Sequence, residues 1–94
     1  MQVHDIKLRE IEIFLQLIKI RSIRELGRQF NLQPGQVSKW IQSLERKVGC
    51  SLLERSASGI QPTARALELI PLFEKIQKIQ DDLSGEGTSS DDKV

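Results

Sequence analysis

The chain has 94 residues and a net charge of +1 at pH 7, a size that supports one small domain but leaves little room for a catalytic cleft with its supporting residues. One cysteine and one histidine exclude an internal disulfide and a metal cluster built from these residue types. No apolar run approaches the roughly 20 residues of a membrane span, and the N-terminus lacks an export signal. We therefore expect a cytoplasmic protein that is not an enzyme and that needs no cofactor or metal.

The first predicted helix runs from about Lys7 to Ile20. Its apolar residues recur at helical spacing in two adjacent stripes, one through Phe14 and the other through Leu17. Because this apolar face is wider than a single contact needs, a second element should cover part of it.

A second helix is predicted from Ser22 to Phe30. The Ser22 hydroxyl can cap the first N–H groups of the helix, and Glu25 can reach back to complete a capping box. Gly27 allows close approach by a neighbouring helix, and Asn31 tolerates the left-handed backbone that a tight corner requires.

A third helix is predicted from Pro34 to Val48, because proline is favoured in the first turn of a helix. Val37, Ile41 and Leu44 should face inward. The outward side is polar and carries Gln36, Lys39, Gln42, Ser43 and Arg46. Glutamine can bond adenine at two atoms, and lysine or arginine can bond guanine. A short helix, a tight corner and a second helix with this outer face are typical of a helix-turn-helix that enters a DNA groove.

The charge is unevenly distributed. Between Lys19 and Lys47, seven basic residues stand against two acidic ones, which gives this segment a net charge of +5. Such charges can simply solvate helix faces, or they can attract phosphates locally. The helix-turn-helix pattern favours the second interpretation.

Two short strands are predicted near Ser51 to Leu53 and near Ile60 to Gln61, and a long helix should follow Thr63. In that helix the apolar residues between Leu69 and Leu83 lie alternately three and four residues apart. This spacing suits packing inside the monomer and pairing with a second copy equally well.

Two features bear on the C-terminal part of the chain. Pro71 removes one helical hydrogen bond and crowds the preceding turn, which predicts a kink or a break near residues 67–70. After Leu83 the sequence becomes rich in Gly, Ser and acidic residues, which predicts a mobile tail.

Several motifs in a fixed order carry a resemblance to a known family. From about Leu8 to Thr63 the chain resembles the N-terminal winged helix-turn-helix domain of LysR-type bacterial transcription regulators. The matching residues are Phe14, Ser22, V-S-K at 37–39, L-E at 44 and 45, V-G-C-S-L-L-E-R from Val48 to Arg55, and Thr63.

The resemblance implies a mainly α fold: a winged helix-turn-helix with a three-helix core and a short two-stranded wing, followed by a long C-terminal helix that links and dimerises. We expect the winged helix-turn-helix over residues 1–62, the linker helix over 63–83 and a disordered tail over 84–94. The implied function is sequence-specific binding to double-stranded DNA, as a homodimer, by a transcription regulator. Its effector-sensing domain is not in this chain, so no small-molecule ligand can be assigned.

The resemblance also indicates which residues should contact DNA. Ser38 and Lys39 match the family motif and should face outward. The glutamine with which the family reads the groove falls on Pro34, so that contact cannot be transferred, although Gln33 or Gln36 can supply an amide nearby. The full set of expected DNA-binding residues is Gln33, Gln36, Ser38, Lys39, Gln42, Arg24, Arg28 and Ser58, the last standing where the family often has a wing arginine.

Five further side chains have a structural interpretation. Trp40 should wedge against the second helix or the wing. Glu45 and Arg55 should form a salt bridge that ties the third helix to the wing, with an Arg55 contact to phosphate as the alternative. Cys50 should be a packed thiol, and His4 should face solvent.

Other functions of the same fold stay open. A helix-turn-helix can serve protein association, and a short chain that pairs through its terminal helix with a full-length regulator would act as an inhibitor. An enzyme is the weakest option, because no nucleophile–base pair, carboxylate dyad or phosphate-binding glycine loop stands at a workable spacing.

Overall fold

The computed structural model describes residues 5–84. Within them the chain forms three helices, a hairpin and a long fourth helix. In chain order these elements are α1 (Leu8–Ile20), α2 (Ile23–Phe30), α3 (Pro34–Val48), β1 (Leu53–Ser56), β2 (Gly59–Pro62) and α4 (Ala64–Ser84). His4 and nearly all of the predicted tail lie outside the described residues.

The core forms around α1, which packs against α2, α3 and α4. Phe14 is fully buried, and its ring meets that of Phe73 edge-on, with the ring centroids 5.8 Å apart. Each large apolar side chain buried in this way stabilises the fold by about 1.5–3 kcal/mol. The predicted second cover for the wide apolar face of α1 is therefore α4.

Local sequence signals set the helix ends around α2. The Ser22 hydroxyl accepts a hydrogen bond from the Glu25 backbone N–H at 3.1 Å, as expected. The other half of the predicted capping box is wrong: the Glu25 carboxylate accepts hydrogen bonds from Arg28 at 2.7 Å and from Gln29 at 3.4 Å. Asn31 takes the predicted left-handed conformation, with φ of 59°.

Gly27 is buried where the turn between α2 and α3 crosses α2. A Cβ atom placed on Gly27 would lie 2.5 Å from the carbonyl oxygen of Leu32 and 3.8 Å from the Val37 side chain. The Leu32 N–H donates to the Gly27 carbonyl at 2.7 Å. The predicted close approach at Gly27 is thus mainly by the turn itself, with α3 behind it.

The wing is an antiparallel hairpin in which Leu53 pairs with Pro62 and Ser56 pairs with Gly59. The second strand lies where it is predicted, but the first does not begin at Ser51. Ser51 and Leu52 instead bond to Thr63, the residue after β2, whose hydroxyl donates to the Ser51 carbonyl and whose N–H donates to the Leu52 carbonyl. The ladder therefore starts at Leu53.

α4 is continuous from Ala64 to Ser84 and contains Pro71, so the predicted break is wrong. Leu69 and Phe73, which flank Pro71, are both buried in the core that includes α1. Packing on both sides of the proline offsets the lost hydrogen bond.

No helix within residues 5–84 is long and apolar enough to cross a membrane.

Candidate nucleic-acid interface

The outer face of α3 is open to solvent. Lys39, Gln42 and Arg46 are exposed, and Ser38 is half-buried. The opposite face carries Val37, Ile41, Leu44 and Val48 into the core. The predicted inner stripe of α3 is therefore confirmed. Among the predicted outward residues Ser43 is the exception, since it is half-buried and donates a hydrogen bond to Glu10.

The start of α3 is closed by Gln36. Its side-chain Oε1 accepts a hydrogen bond from the Gln33 backbone N–H at 2.8 Å, while the Gln36 N–H donates to the Gln33 carbonyl at 2.9 Å. Gln33 is the residue before Pro34, where a free N–H would otherwise face solvent. Both glutamines are exposed, as predicted, but the Gln36 oxygen is already engaged.

The basic residues of α2 lie beside this helix start. Arg24, Arg28, Gln33 and Gln36 line one shallow surface hollow. Arg24 and Arg28 are exposed. The structure thus brings the two arginines to the α3 N-terminus, although they lie on a different helix.

Ser58 lies in the turn between β1 and β2, apart from these residues in the chain. Its hydroxyl accepts a hydrogen bond from the Gln61 amide at 2.9 Å, and the Ser56 and Ser58 hydroxyls lie 3.1 Å apart. The tip of the wing is therefore polar and uncharged.

Glu45 ties α3 to the wing, but not through Arg55. Its Oε2 accepts hydrogen bonds from the backbone N–H groups of Leu52 and Leu53, at 2.8 and 3.3 Å. The predicted salt bridge is wrong, because these amides at the approach to β1 need an acceptor and Glu45 supplies it. Arg55 stays exposed.

A buried carboxylate joins α1 to α3. The Glu10 side chain is 1% exposed and accepts hydrogen bonds at Oε2 from Ser43 at 2.5 Å and from Lys47 at 2.8 Å. The Lys7 backbone N–H donates to Oε1 at 2.8 Å. Ser43 and Lys47 are thus engaged within the protein, and Lys47 adds little to the positive charge of the outer face.

The net pKa of Glu10 is below its ordinary value. Burial alone raises the pKa, but the hydrogen bonds from Lys47, Ser43 and Lys7, together with the Lys47 charge, lower it further than burial raises it. Glu10 is therefore a carboxylate at neutral pH.

Trp40 lies beside the start of α1. It is half-buried, and the Lys7 ammonium lies 5.8 Å from the centre of its ring. Trp40, Lys7, Gln36 and Lys39 line a common hollow. The neighbourhood of Lys7 is one that the sequence does not predict for Trp40.

Lys7 is a basic residue beside the outer face of α3 that the sequence analysis did not include among the candidate site residues. It lies 32 positions before Lys39 in the chain, outside the counted basic segment. A lysine at the helix N-terminus does not indicate which residues will surround it, since only the packing of α1 on α3 brings Lys7 close to Trp40 and Lys39.

Cys50 is half-buried against the core. Within residues 5–84, no three acidic, histidine or cysteine side chains form a group that could hold a metal.

Together these elements form a winged helix-turn-helix. The family model described as "Bacterial regulatory helix-turn-helix protein, lysR family" matches residues 8–67. The chain therefore belongs to the LysR family.

Individual relatives agree with this membership. The chain is 36% identical over 78 residues to the HTH-type transcriptional regulator AdmX of Serratia plymuthica, a match that covers 83% of this chain and 25% of AdmX. The chain spans 25–31% of the length of the curated relatives it matches.

Solved structures share the fold. The DNA-binding fragment in the structure titled as a CbnR_DBD–DNA complex has a TM-score of 0.76 at 19% identity, over 88% of this chain and 95% of that one. The fragment in the structure titled as a BenM_DBD complex with catB site 1 DNA has a TM-score of 0.77 at 22% identity, over 84% and 85% of the two chains.

Proposed function

We propose that this chain binds double-stranded DNA in a sequence-specific manner, as part of a transcription regulator, with α3 in the major groove. The carrying observation is that Lys39, Gln42 and Arg46 on the outer face of α3 are exposed, while α4 packs against α1 and β2. The names of relatives support this function, since AdmX is called a transcriptional regulator and the CbnR fragment is titled as bound to DNA.

In this proposal the side chains divide into two groups. Ser38 and Gln42 reach base edges, because they stand on the outer side of α3. Arg24 and Arg28 hold phosphates beside the helix start, and Lys7 and Lys39 add further cations at the other side of Gln36. Gln33 supports the α3 N-terminus, and Ser58 provides a neutral wing contact. Such a protein acts in the bacterial cytoplasm and carries out no catalysis.

The test measures binding to duplexes selected from a random pool, by fluorescence anisotropy at several salt concentrations. Lys39→Ala should weaken binding about tenfold. The plot of log affinity against log salt concentration should become less steep by about 0.9, which is the contribution of one phosphate contact. The free energy of unfolding of this variant should be unchanged, since Lys39 is exposed.

Two lysine controls sharpen this experiment. Lys75→Ala removes an exposed lysine of α4 and should leave binding unchanged. Lys47→Ala should lower stability, because Glu10 loses its ion-pair partner. Absence of duplex binding by the unchanged protein at low salt, or an affinity independent of salt, would contradict the proposed function.

We further propose that two copies pair through α4. Leu72, Ile79 and Leu83 form an outer seam on this helix, and Ile79 and Leu83 are 57% and 84% exposed. Their separations of seven and four residues, with half-buried Ile76 between, match the repeat of paired helices. A dimer would present two α3 helices to a pseudo-palindromic site.

The same outer seam supports a second candidate function, in which this chain pairs with a longer relative and blocks it. A pull-down in the presence of nuclease separates the two. Association with such a relative that survives nuclease, together with no DNA binding by this chain alone, would favour the inhibitor.

A further inference from the structure

The position of the Gln36 amide bears on which bases the protein can prefer, an inference that rests on the proposed binding of α3 in the major groove. Glutamine distinguishes adenine by two bonds: its oxygen accepts from adenine N6 and its nitrogen donates to N7. This requires both ends of the amide to be available to the base.

In this structure one end of the Gln36 amide is already bonded within the protein. The Gln36 Oε1 lies 2.8 Å from the Gln33 backbone nitrogen and accepts its N–H. The oxygen is therefore turned towards the protein, whereas the amino group makes no hydrogen bond within residues 5–84 and is the freer end for a ligand. The bond is favoured, because Gln33 precedes the proline that begins α3, and its N–H has no partner inside the helix.

Gln42 provides the contrast on the same helix. It is exposed, and it makes no side-chain hydrogen bond to any residue between 5 and 84. Both ends of its amide are free for a base. The two glutamines of the outer face thus have different hydrogen-bonding capacity despite identical chemistry.

The surroundings of Gln36 favour a nucleic acid ligand at its amino group. Arg24 and Arg28 line the hollow on one side of it, and Lys7 and Lys39 line the hollow on the other. These cations would hold phosphates on both sides, which places the amino group at base edges between them.

We propose that Gln36 reads DNA as a donor only and selects bases with a keto oxygen in the major groove. Guanine O6 and N7 and thymine O4 accept from an amino group. Adenine offers one acceptor, N7, beside an N6 donor that repels the amino group, and cytosine offers only the N4 donor. Gln36 is therefore a specificity-determining residue for guanine or thymine, and the adenine-reading role falls to Gln42.

The experiment compares base preferences of the unchanged protein, Gln36→Glu and Gln42→Ala, on duplexes selected from a random pool and then varied one base pair at a time. Glutamate keeps the acceptor for the Gln33 N–H and replaces the amino group by a second acceptor. At one base pair the unchanged protein should prefer a keto base about fivefold, and Gln36→Glu should reverse that preference towards cytosine or adenine. Gln42→Ala should leave this base pair unaffected and change another.

Thermal unfolding of Gln36→Glu checks that the helix start is intact, and Gln36→Ala, which removes the cap, should unfold at a lower temperature. A preference for adenine at the base pair that Gln36→Glu alters would overturn the proposal, as would an unaltered preference at every base pair. Salt-dependent binding in either case would leave the proposed function standing. If the unchanged protein binds no duplex, both fail together.

Discussion

Glu10 has three hydrogen-bond donors around a nearly inaccessible carboxylate, and two of them come from α3. Removing its charge leaves the Lys47 ammonium, itself only 17% exposed, without its counter-ion. Uncompensated buried charges are costly because neither water nor a partner stabilises them. Glu10 therefore holds the helix that carries the candidate interface at a fixed position on α1.

Glu10→Gln should lower the free energy of unfolding at pH 7 by about 1–3 kcal/mol. The pKa of Glu10 in the folded state is lowered from 4.5, so its stabilising effect is present above the unfolded value and is lost as the pH falls through the folded value. Urea denaturation of both proteins between pH 7 and pH 3 should show the difference between them shrinking below about pH 4.5. Glu12→Gln, which removes an exposed ion pair with Arg9, should change stability by less than about 0.5 kcal/mol. An equal loss in both variants would contradict this role of Glu10.

Contacts like these mark the limit of prediction from sequence. Ser22, Asn31 and Pro34 act on their own helix ends, so their local chemistry suffices to place them. Glu10 meets Ser43 and Lys47 across 33 and 37 positions, and Trp40 faces Lys7 for the same reason. Glu45 was expected to contact the wing and does so, but the competing backbone amides are visible only once the hairpin is in place. The outer face of α3 was predictable, whereas the engaged oxygen of Gln36 was not.

At the scale of elements, the turn between α2 and α3 sets how the two helices cross. Gly27→Ala should lower the free energy of unfolding by about 2 kcal/mol or more, because its Cβ would lie 2.5 Å from the Leu32 carbonyl oxygen. A backbone atom cannot move aside as a flexible side chain can, so the turn itself would shift.

Gly35→Ala is the matched control, since nothing lies within 4 Å of a Cβ at that position in α3. It should stabilise the protein by up to about 1 kcal/mol, through the higher helix propensity of alanine. Chemical denaturation of both variants checks the pair. Equal effects of the two substitutions would refute the account of the turn.

At the scale of the whole molecule, α4 has two apolar sides. Leu69 and Phe73 are buried in the monomer core, while the outer seam of Leu72, Ile79 and Leu83 has no cover within the described residues. One side of α4 thus packs in the core of the monomer, and the other side is available for the proposed contact with a second copy.

The double substitution Leu72→Glu and Ile79→Glu should convert the proposed dimer to a monomer, since charged residues at paired seam positions repel each other and resist desolvation. Light scattering measures the mass. Circular dichroism should still show a folded chain, because neither side chain belongs to the core.

Glu74→Gln and Lys75→Gln on exposed positions of the same helix serve as a control and should keep the dimer mass. A monomeric mass for the unchanged protein would refute pairing through α4.

The two proposed uses of the Gln36 amide, one for each of its ends, have an evolutionary consequence. A substitution at position 36 that removes the acceptor for the Gln33 N–H weakens the start of α3. Only side chains that keep an acceptor can therefore change the proposed base preference without a loss of stability. At Gln42 this limit does not apply, because no part of the fold depends on its amide. New operator sequences should therefore be acquired first through position 42, while position 36 stays restricted to side chains that can still accept a hydrogen bond.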